Sequence, residues 1–357
     1  MKTVLHVVGA RPNFMKLAPV YEALKQYSSI QQIIVHTGQH FDYNMSDVFF
    51  EQLGIPQPDI NLDVNGGSVI SQIGNGLLKI EKVFIDNKPD IICIYGDINA
   101  TAFTSIAASK LNIKIAHVEA GLRSFDLDMP EETNRMIADT LSDYFFTPSK
   151  DADENLLKEG KQAKNIFFVG NVMIDTLKKF IPKAEETNLQ FNIPAKFALV
   201  TLHRPSNVDD KNNLITLLNY LEAFGKNYKI IFPIHPRTKA KLSEDFFANF
   251  NNIIFVNPLS YFEFVKLQMK ASLIITDSGG IQEESTYLGI PCFTLRNNTE
   301  RPITIFEGTN TLVGADIEKL KMHLNAFING EIKKGKVPEL WDGNAGKRIA
   351  EIINGLI

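Results

Sequence analysis

Leu273-Ile274-Ile275-Thr276-Asp277-Ser278-Gly279-Gly280-Ile281-Gln282-Glu283-Glu284 is the stretch from which the fold can be read. Its first four residues are apolar and rich in β-branched side chains, as in a strand buried on both faces of a parallel sheet. Asp277 to Gly280 is a small-residue turn. Ile281 to Leu288 then reads as a helix, with Gly289 and Pro291 as stop signals. Strand, turn and helix make half of a βαβ unit. Gly279 and Gly280 remove side chains where the helix begins, so unpaired backbone N–H groups can face an anion there. Ser278 adds a hydroxyl donor. Glu284 lies a turn into the helix, too far in to cap it and placed to accept from a sugar diol. After the next strand, Cys292 to Leu295, the run Thr299-Glu300-Arg301-Pro302 supplies a guanidinium. The set suits a nucleotide diphosphate, although an ordinary βα turn with a capping serine would carry the same Gly-Gly pair.

The chain has 357 residues, more than one typical core accommodates, so two domains are expected. Its 44% hydrophobic and 22% charged residues are those of a globular protein. A net charge of -4 argues against a nucleic-acid partner, which would call for a basic face. No apolar run approaches membrane-spanning length, and the short N-terminal run ending at Gly9 fits a first strand better than a leader. Cys93 and Cys292 stand in strand-like runs and read as buried thiols of a reducing cytosol. The expectation is a cytoplasmic two-domain enzyme.

Outward from the opening stretch, the same alternation recurs. Thr3 to Val8 is a strand, followed by the turn Gly9-Ala10-Arg11-Pro12 and a helix carrying Lys16, which Pro19 should kink or split. The turn is not G-x-G-x-x-G, so a dinucleotide fingerprint is absent. Arg11 and Lys16 instead place two cations near the start of the first helix. Ile33 to His36 is a strand and Phe41 to Leu53 a helix; His36 and His40 have a metal-like spacing that Gly38 spoils. Asn61 to Gly67 reads as a loop and Val69 to Asn87 as a helix. Ile91 to Tyr95 and Ile113 to Val118 are strands whose carboxyl ends carry Gly96-Asp97 and Glu119-Ala120-Gly121-Leu122-Arg123. Open α/β sheets bind ligands outside those ends, so Asp97, Glu119 and Arg11 share one rim. Pro130 opens a helix with Glu131 and Glu132 in its first turn, where acids also complement the helix dipole, and Asn134 and Arg135 follow. Ser149 is expected to cap the helix after it. A domain boundary is placed at Gly170-Asn171, giving 1–170 and 171–344, with a last helix over 345–357 packing back on the first domain. In the second domain His203 and His235 follow strands, on the rim that Ser278 shares. The expected architecture is α/β: two Rossmann-like, doubly wound domains facing a cleft, of the GT-B type.

The runs Gly9-Ala10-Arg11-Pro12, Gly96-Asp97, His117-Val118-Glu119-Ala120-Gly121-Leu122-Arg123, Pro130-Glu131-Glu132 with Asn134-Arg135, Asp277-Ser278-Gly279-Gly280-Ile281-Gln282-Glu283-Glu284 and Thr299-Glu300-Arg301-Pro302 occur in an order that resembles the bacterial non-hydrolysing UDP-N-acetylglucosamine 2-epimerases. The resemblance covers nearly the whole chain. It implies interconversion of UDP-N-acetylglucosamine and UDP-N-acetylmannosamine. The C2 proton of the sugar is not acidic, so the implied route expels UDP to a glycal and re-adds it with the proton delivered to the other face. Such a reaction calls for cations and N–H groups at the departing diphosphate and carboxylates near C2, and for no cofactor and no metal. By resemblance Asp97, Glu119 and Glu131 are the acid/base carboxylates, and His203 stabilises or protonates the leaving phosphate. Ser278, Gly279 and Gly280 hold the pyrophosphate, Glu284 the ribose, and Phe264 lies by the uracil. Arg11, Lys16, Arg135, His235 and Arg301 line the substrate site. The expected partner is a UDP-sugar, with no nucleic acid and no membrane, in a homodimer.

The chain departs from the family pattern where some members bind a second, activating substrate molecule. Arg204-Pro205-Ser206 stands for Arg-Arg-Glu, Asp42 stands where a second Gln would follow Gln39, and Asn65-Gly66-Gly67 lacks an arginine. Strong activation by substrate is therefore not expected. Relatives with similar patterns epimerise more elaborate sugars such as UDP-2,3-diacetamido-glucuronate. A glycosyltransferase on the same architecture would need an acceptor groove, for which no basic-aromatic cluster is evident, and three carboxylates beside a phosphate clamp ill suit a mere binding protein.

Overall fold

A computed structural model describes residues 1–38, 50, 53–234, 239 and 244–357, with the side chains of Arg11, Pro205, Ser206, Glu244 and Asp245 also outside that set. The chain divides into two compact units, Met1–Thr176 with Glu339–Ile357, and Leu177–Pro338. The division falls inside the helix Val172–Glu186 rather than at Gly170-Asn171. The start of that helix belongs with the first unit because Asp175 accepts from the N–H groups of Ala345, at 3.1 Å, and Gly346, at 2.7 Å. Asp175 thereby caps the returning helix Ala345–Leu356, whose own N-cap residue, Asn344, makes no side-chain cap.

The first unit is built on a parallel sheet. In chain order its strands are β1 (Lys2–Val8), β2 (Ile30–His36), β3 (Ile60–Asn61), β4 (Ile91–Tyr95), β5 (Lys114–Val118), β6 (Tyr144–Thr147) and β7 (Ile166–Phe168), and their spatial order is β3-β2-β1-β4-β5-β6-β7. All five residues of β4 are buried, which is why that run reads as unbroken apolar sequence. Leu5, Val7, Ile33, Val35, Ile92, Ile94 and Ile115 form one core face, closed by Ile80, Val83 and Phe84 of the helix Val69–Asn87 and by Phe103 of the helix Asn99–Lys110. Asn61, expected in a loop, is in β3; that strand is two residues long and exists by pairing with Val35 and His36.

The second unit has a parallel sheet of β8 (Phe197–Thr201), β9 (Lys229–Pro233), β10 (Ile253–Val256), β11 (Leu273–Thr276), β12 (Cys292–Thr294) and β13 (Asn310–Leu312), in the order β10-β9-β8-β11-β12-β13. Alternate residues feed two cores. Ala198, Val200, Ile230, Phe232, Leu273 and Ile275 face one side, and Phe197, Leu199, Ile231, Ile274 and Cys292 the other. Each unit is thus doubly wound.

Pro19 neither ends nor splits the helix Arg11–Leu24. A proline offers no N–H to the carbonyl four residues back, here that of Met15. The Thr176 hydroxyl donates to that carbonyl at 2.6 Å in its place. Pro19 also meets the last helix: a Cβ on Gly346 would lie 2.6 Å from its carbonyl. Ile349 and Ile353 of that helix are fully buried, and an isoleucine taken wholly out of water contributes about 1.5–3 kcal/mol. Ser149 stands at the N-cap of Lys150–Lys158, but its hydroxyl makes no capping bond. Cys93 and Cys292 are buried and free. Among the described residues no helix is long and apolar enough to cross a membrane.

Candidate active site

In each sheet the strand order reverses at one place, between β1 and β4 in the first unit and between β8 and β11 in the second. Loops leaving the carboxyl ends of strands diverge there, which opens a crevice for ligands. Several of the residues singled out from the sequence stand at or next to those two places.

In the first unit, Asn13 joins the two turns at the reversal. Its Oδ1 accepts from the N–H groups of Gly9, at 3.3 Å, and Ala10, at 3.2 Å, and its Nδ2 donates to the Tyr95 carbonyl at 2.8 Å. One helical turn on, Lys16 is buried and donates to Glu119 Oε1 at 2.9 Å. A Cβ on Gly96 would run into the Lys16 ammonium, and Gly96 has φ of 61°. Only glycine meets both conditions without strain. Glu119 is itself left-handed, with φ of 69°, an uncommon conformation for a glutamate that turns its buried side chain to Lys16 as β5 ends. Asp97 follows Gly96 and accepts from Arg135 Nη1. Arg135 is held in turn by Glu132, whose Oε2 receives its Nε at 3.0 Å and its Nη2 at 2.7 Å. Burial pushes the Glu132 carboxyl up, but the Ser124 N–H and the Arg135 guanidinium outweigh it and hold the group below its usual range. The neighbouring carboxylates therefore divide their work. Glu132 is a buried brace, while Glu131 is half-buried and has no hydrogen-bond or ion-pair partner among the described residues.

In the second unit the hub is Asp277, to which the sequence reading assigned no role. It is fully buried and accepts from the N–H groups of His203, at 3.1 Å, and Arg204, at 2.9 Å, and from Asn207 Nδ2 at 2.9 Å. Its Oδ1 lies 2.9 Å from His203 Nδ1. Burial pushes the Asp277 carboxyl up, but His203, Asn207 and the Arg204 N–H bring it below its ordinary value. With Nδ1 engaged and the side chain 56% exposed, His203 has Nε2 available to a ligand.

The helix after β11 begins at Gly279, two residues earlier than its apolar pattern indicates. Ser278 is its N-cap residue but makes no side-chain cap. Among the described residues the N–H groups of Gly279, Gly280 and Ile281 have no acceptor, as expected of the first turn of a helix without a side-chain cap. Arg301 is packed against this turn: a Cβ on Gly279 would lie 2.6 Å from Arg301 Nη1 and 2.6 Å from Glu300 Oε1. Glu283 Oε1, 2.9 Å from Arg301 Nε, and Glu300 hold the guanidinium there. Glu284 is buried and already engaged, accepting from Tyr261 Oη at 3.1 Å and Gln268 Nε2 at 2.5 Å. Burial raises its carboxyl above the usual range. Phe264 is half-buried on the core face that holds Phe197 and Ile274.

Lys16, Asp97, Glu119 and Arg135 are thus brought together, as are His203, Ser278, Gly279, Gly280 and Arg301. His235, Gln39, His40 and Asp42 lie outside the described residues, and so does the Arg11 side chain. Among the described residues no group of three His, Cys, Asp or Glu side chains could hold a metal ion. Glu132, Asp277, Tyr261 and Gln268 escape the sequence reading because each acts on a partner distant in the chain or across a helix turn. The one local signal is the position of Asp277 immediately after its strand. Chemically, the first set offers carboxylates held by cations, suited to moving a proton, and the second offers N–H and guanidinium donors suited to a diphosphate.

A UDP-N-acetylglucosamine 2-epimerase of Methanocaldococcus jannaschii is 43% identical over 361 residues, which cover 97% of this chain and 97% of that one. The UDP-2,3-diacetamido-2,3-dideoxy-D-glucuronate 2-epimerase of Pseudomonas aeruginosa is 39% identical over 359 residues, covering 98% and 99%. The crystal structure of the Methanocaldococcus jannaschii UDP-GlcNAc 2-epimerase in complex with UDP-GlcNAc and UDP matches with a TM-score of 0.87 at 40% identity, over 99% of this chain and 100% of that one. The family profile described as UDP-N-acetylglucosamine 2-epimerase spans residues 22–354, and on these findings the chain belongs to the UDP-N-acetylglucosamine 2-epimerase family.

Proposed function

We propose that this protein interconverts UDP-N-acetylglucosamine and UDP-N-acetylmannosamine without hydrolysing either, by eliminating UDP to a glycal and adding it back. The observation that carries the reading is the placement of Asp97 and Glu119 at the carboxyl ends of the adjacent strands β4 and β5, beside the strand-order reversal of the first sheet, each next to a buried cation. As UDP departs from C1, positive charge develops beside C2 and the proton there becomes removable. A carboxylate of the set Asp97, Glu119 and Glu131 takes it, and another returns a proton to the opposite face. The diphosphate that leaves carries its charge to the N–H groups of Gly279 and Gly280 and to Arg301, while His203 meets the departing oxygen. Glu284 and Phe264 hold the nucleoside. The reaction is placed in the cytoplasm and in a homodimer, the latter to be read by sedimentation.

Incubation with UDP-N-acetylglucosamine alone in heavy water tests the proposal. The expected product is the manno isomer with deuterium at C2. Product without deuterium at C2, or no conversion until a sugar acceptor is added, would overturn it. The Pseudomonas relative motivates one other substrate, UDP-2,3-diacetamido-glucuronate, to be run in the same assay.

A further inference from the structure

The turns that carry Asp97 and Glu119 leave adjacent strands, and one side chain is tied to both. His117, in β5, is completely buried, so no substrate can touch it. Its Nε2 lies 2.8 Å from the Gly96 carbonyl, immediately before Asp97, and its Nδ1 lies 2.6 Å from Asp139 Oδ1. The other Asp139 oxygen accepts from the Gly121 N–H at 3.1 Å and from Arg123 Nη1 at 2.7 Å, so Asp139 anchors the loop that Glu119 begins. A carbonyl can only accept. Nε2 of His117 therefore donates to the Gly96 carbonyl, and Nδ1 is hydrogen-bonded to Asp139. Despite burial, His117 and Arg123 keep the Asp139 carboxyl below the usual range. The chain of bonds runs from the Asp97 turn through the imidazole and Asp139 to the Glu119 loop, in the buried interior of one unit.

We infer that His117, acting with Asp139, is a positioning residue that fixes the Asp97 turn relative to the Glu119 loop. This rests on the proposed epimerisation, in which one carboxylate must release a proton to the face opposite the one that lost it. Elimination needs one well-placed carboxylate; re-addition needs the second before the glycal escapes. Loss of the strut therefore affects the second step more than the first.

Two variants separate the halves of the strut. His117→Gln keeps a donor for Gly96 and gives up Asp139, and His117→Asn does the reverse. In both, kcat for epimerisation should fall about a hundredfold, the scale of a small misplacement of reacting groups. KM and UDP affinity should stay essentially unchanged, because the N–H turn belongs to the other unit. The decisive readout is free UDP with 2-acetamidoglucal, accumulating in the variants and not in the wild type. Variants that epimerise at the wild-type rate, or that slow without releasing the glycal, would overturn the inference. A wild-type sample that forms no epimer would instead sink the proposed function. In either case nitrogen NMR of histidine-labelled wild-type protein gives an independent reading: Nε2 of His117 should carry a proton that exchanges slowly with water, and an unprotonated or freely exchanging Nε2 would refute the strut.

Discussion

The ammonium of Lys16 lies 2.9 Å from Oε1 of Glu119, and both side chains are almost wholly enclosed. Each is the counter-charge that makes the other's burial tolerable. Removing one partner of such a pair leaves a stranded charge and costs about 3–5 kcal/mol, whereas replacing both is far milder. Lys16→Met should therefore destabilise the first unit by about that amount, and Lys16→Met with Glu119→Gln should recover most of it in urea unfolding. A double variant as unstable as the single one would show that the pair is not the cause.

Glu119→Gln and Glu131→Gln each keep size and remove a proton carrier. Turnover should drop by about two to four orders of magnitude in at least one of them, with UDP binding retained by calorimetry. Near-normal turnover in both would remove these residues from the acid/base step.

Gly279 is needed for its lack of a side chain, since a methyl group there would displace Arg301 and Glu300. Gly279→Ala should weaken UDP binding by about tenfold or more, equivalent to about 1.4 kcal/mol. Unchanged UDP affinity would mean that Arg301 and the N–H turn do not serve the diphosphate.

The Thr176 hydroxyl stands in for the N–H that Pro19 lacks. Thr176→Val should cost about 1–3 kcal/mol, the penalty for an orphaned buried carbonyl. In a Pro19→Ala background the same change should cost much less, because the restored N–H satisfies Met15. Equal costs in the two backgrounds would count against the substitution of one donor for the other.

Burial pushes the Asp175 carboxyl up to about 6, against the N–H bonds from Gly346 and Ala345. A folded-state pKa above the unfolded value means that the folded unit binds the proton more tightly. The stability it contributes is complete below about 3.9, the unfolded value, and is lost as pH rises through about 6, a change of about 3 kcal/mol. Asp277 has the opposite sign: its lowered pKa contributes stability that is complete above about 3.9 and is lost as pH falls through the lower folded value. Thermal denaturation across mild acid should show the first unit firmer near pH 4 than near pH 7. Asp175→Asn should flatten that slope; a slope that the variant leaves intact would refute the assignment.

Taken alone, the amino-acid sequence determined the strands with unbroken apolar runs, such as Ile91–Tyr95 and Leu273–Thr276, and the turns that follow them. A strand buried on both faces and a glycine-bearing turn are local requirements, so they leave a local pattern. The same patterns place Asp97, Glu119, His203 and Ser278 at the carboxyl ends of parallel strands, since the direction of a strand is the direction of its sequence. Tertiary structure alone decided which strands became neighbours, and with that where the strand order reverses. It also decided that β3 and β13 exist at all, because so few residues carry no period of their own and these strands form by pairing, β3 with β2 and β13 with β12. It assigned Asp139, Asp175 and Asp277 their work, and separated Glu132 as a brace from Glu131 beside it. Those roles depend on which distant hydrogen-bond donor is brought within 3 Å of a carboxylate, and register between elements sets that distance.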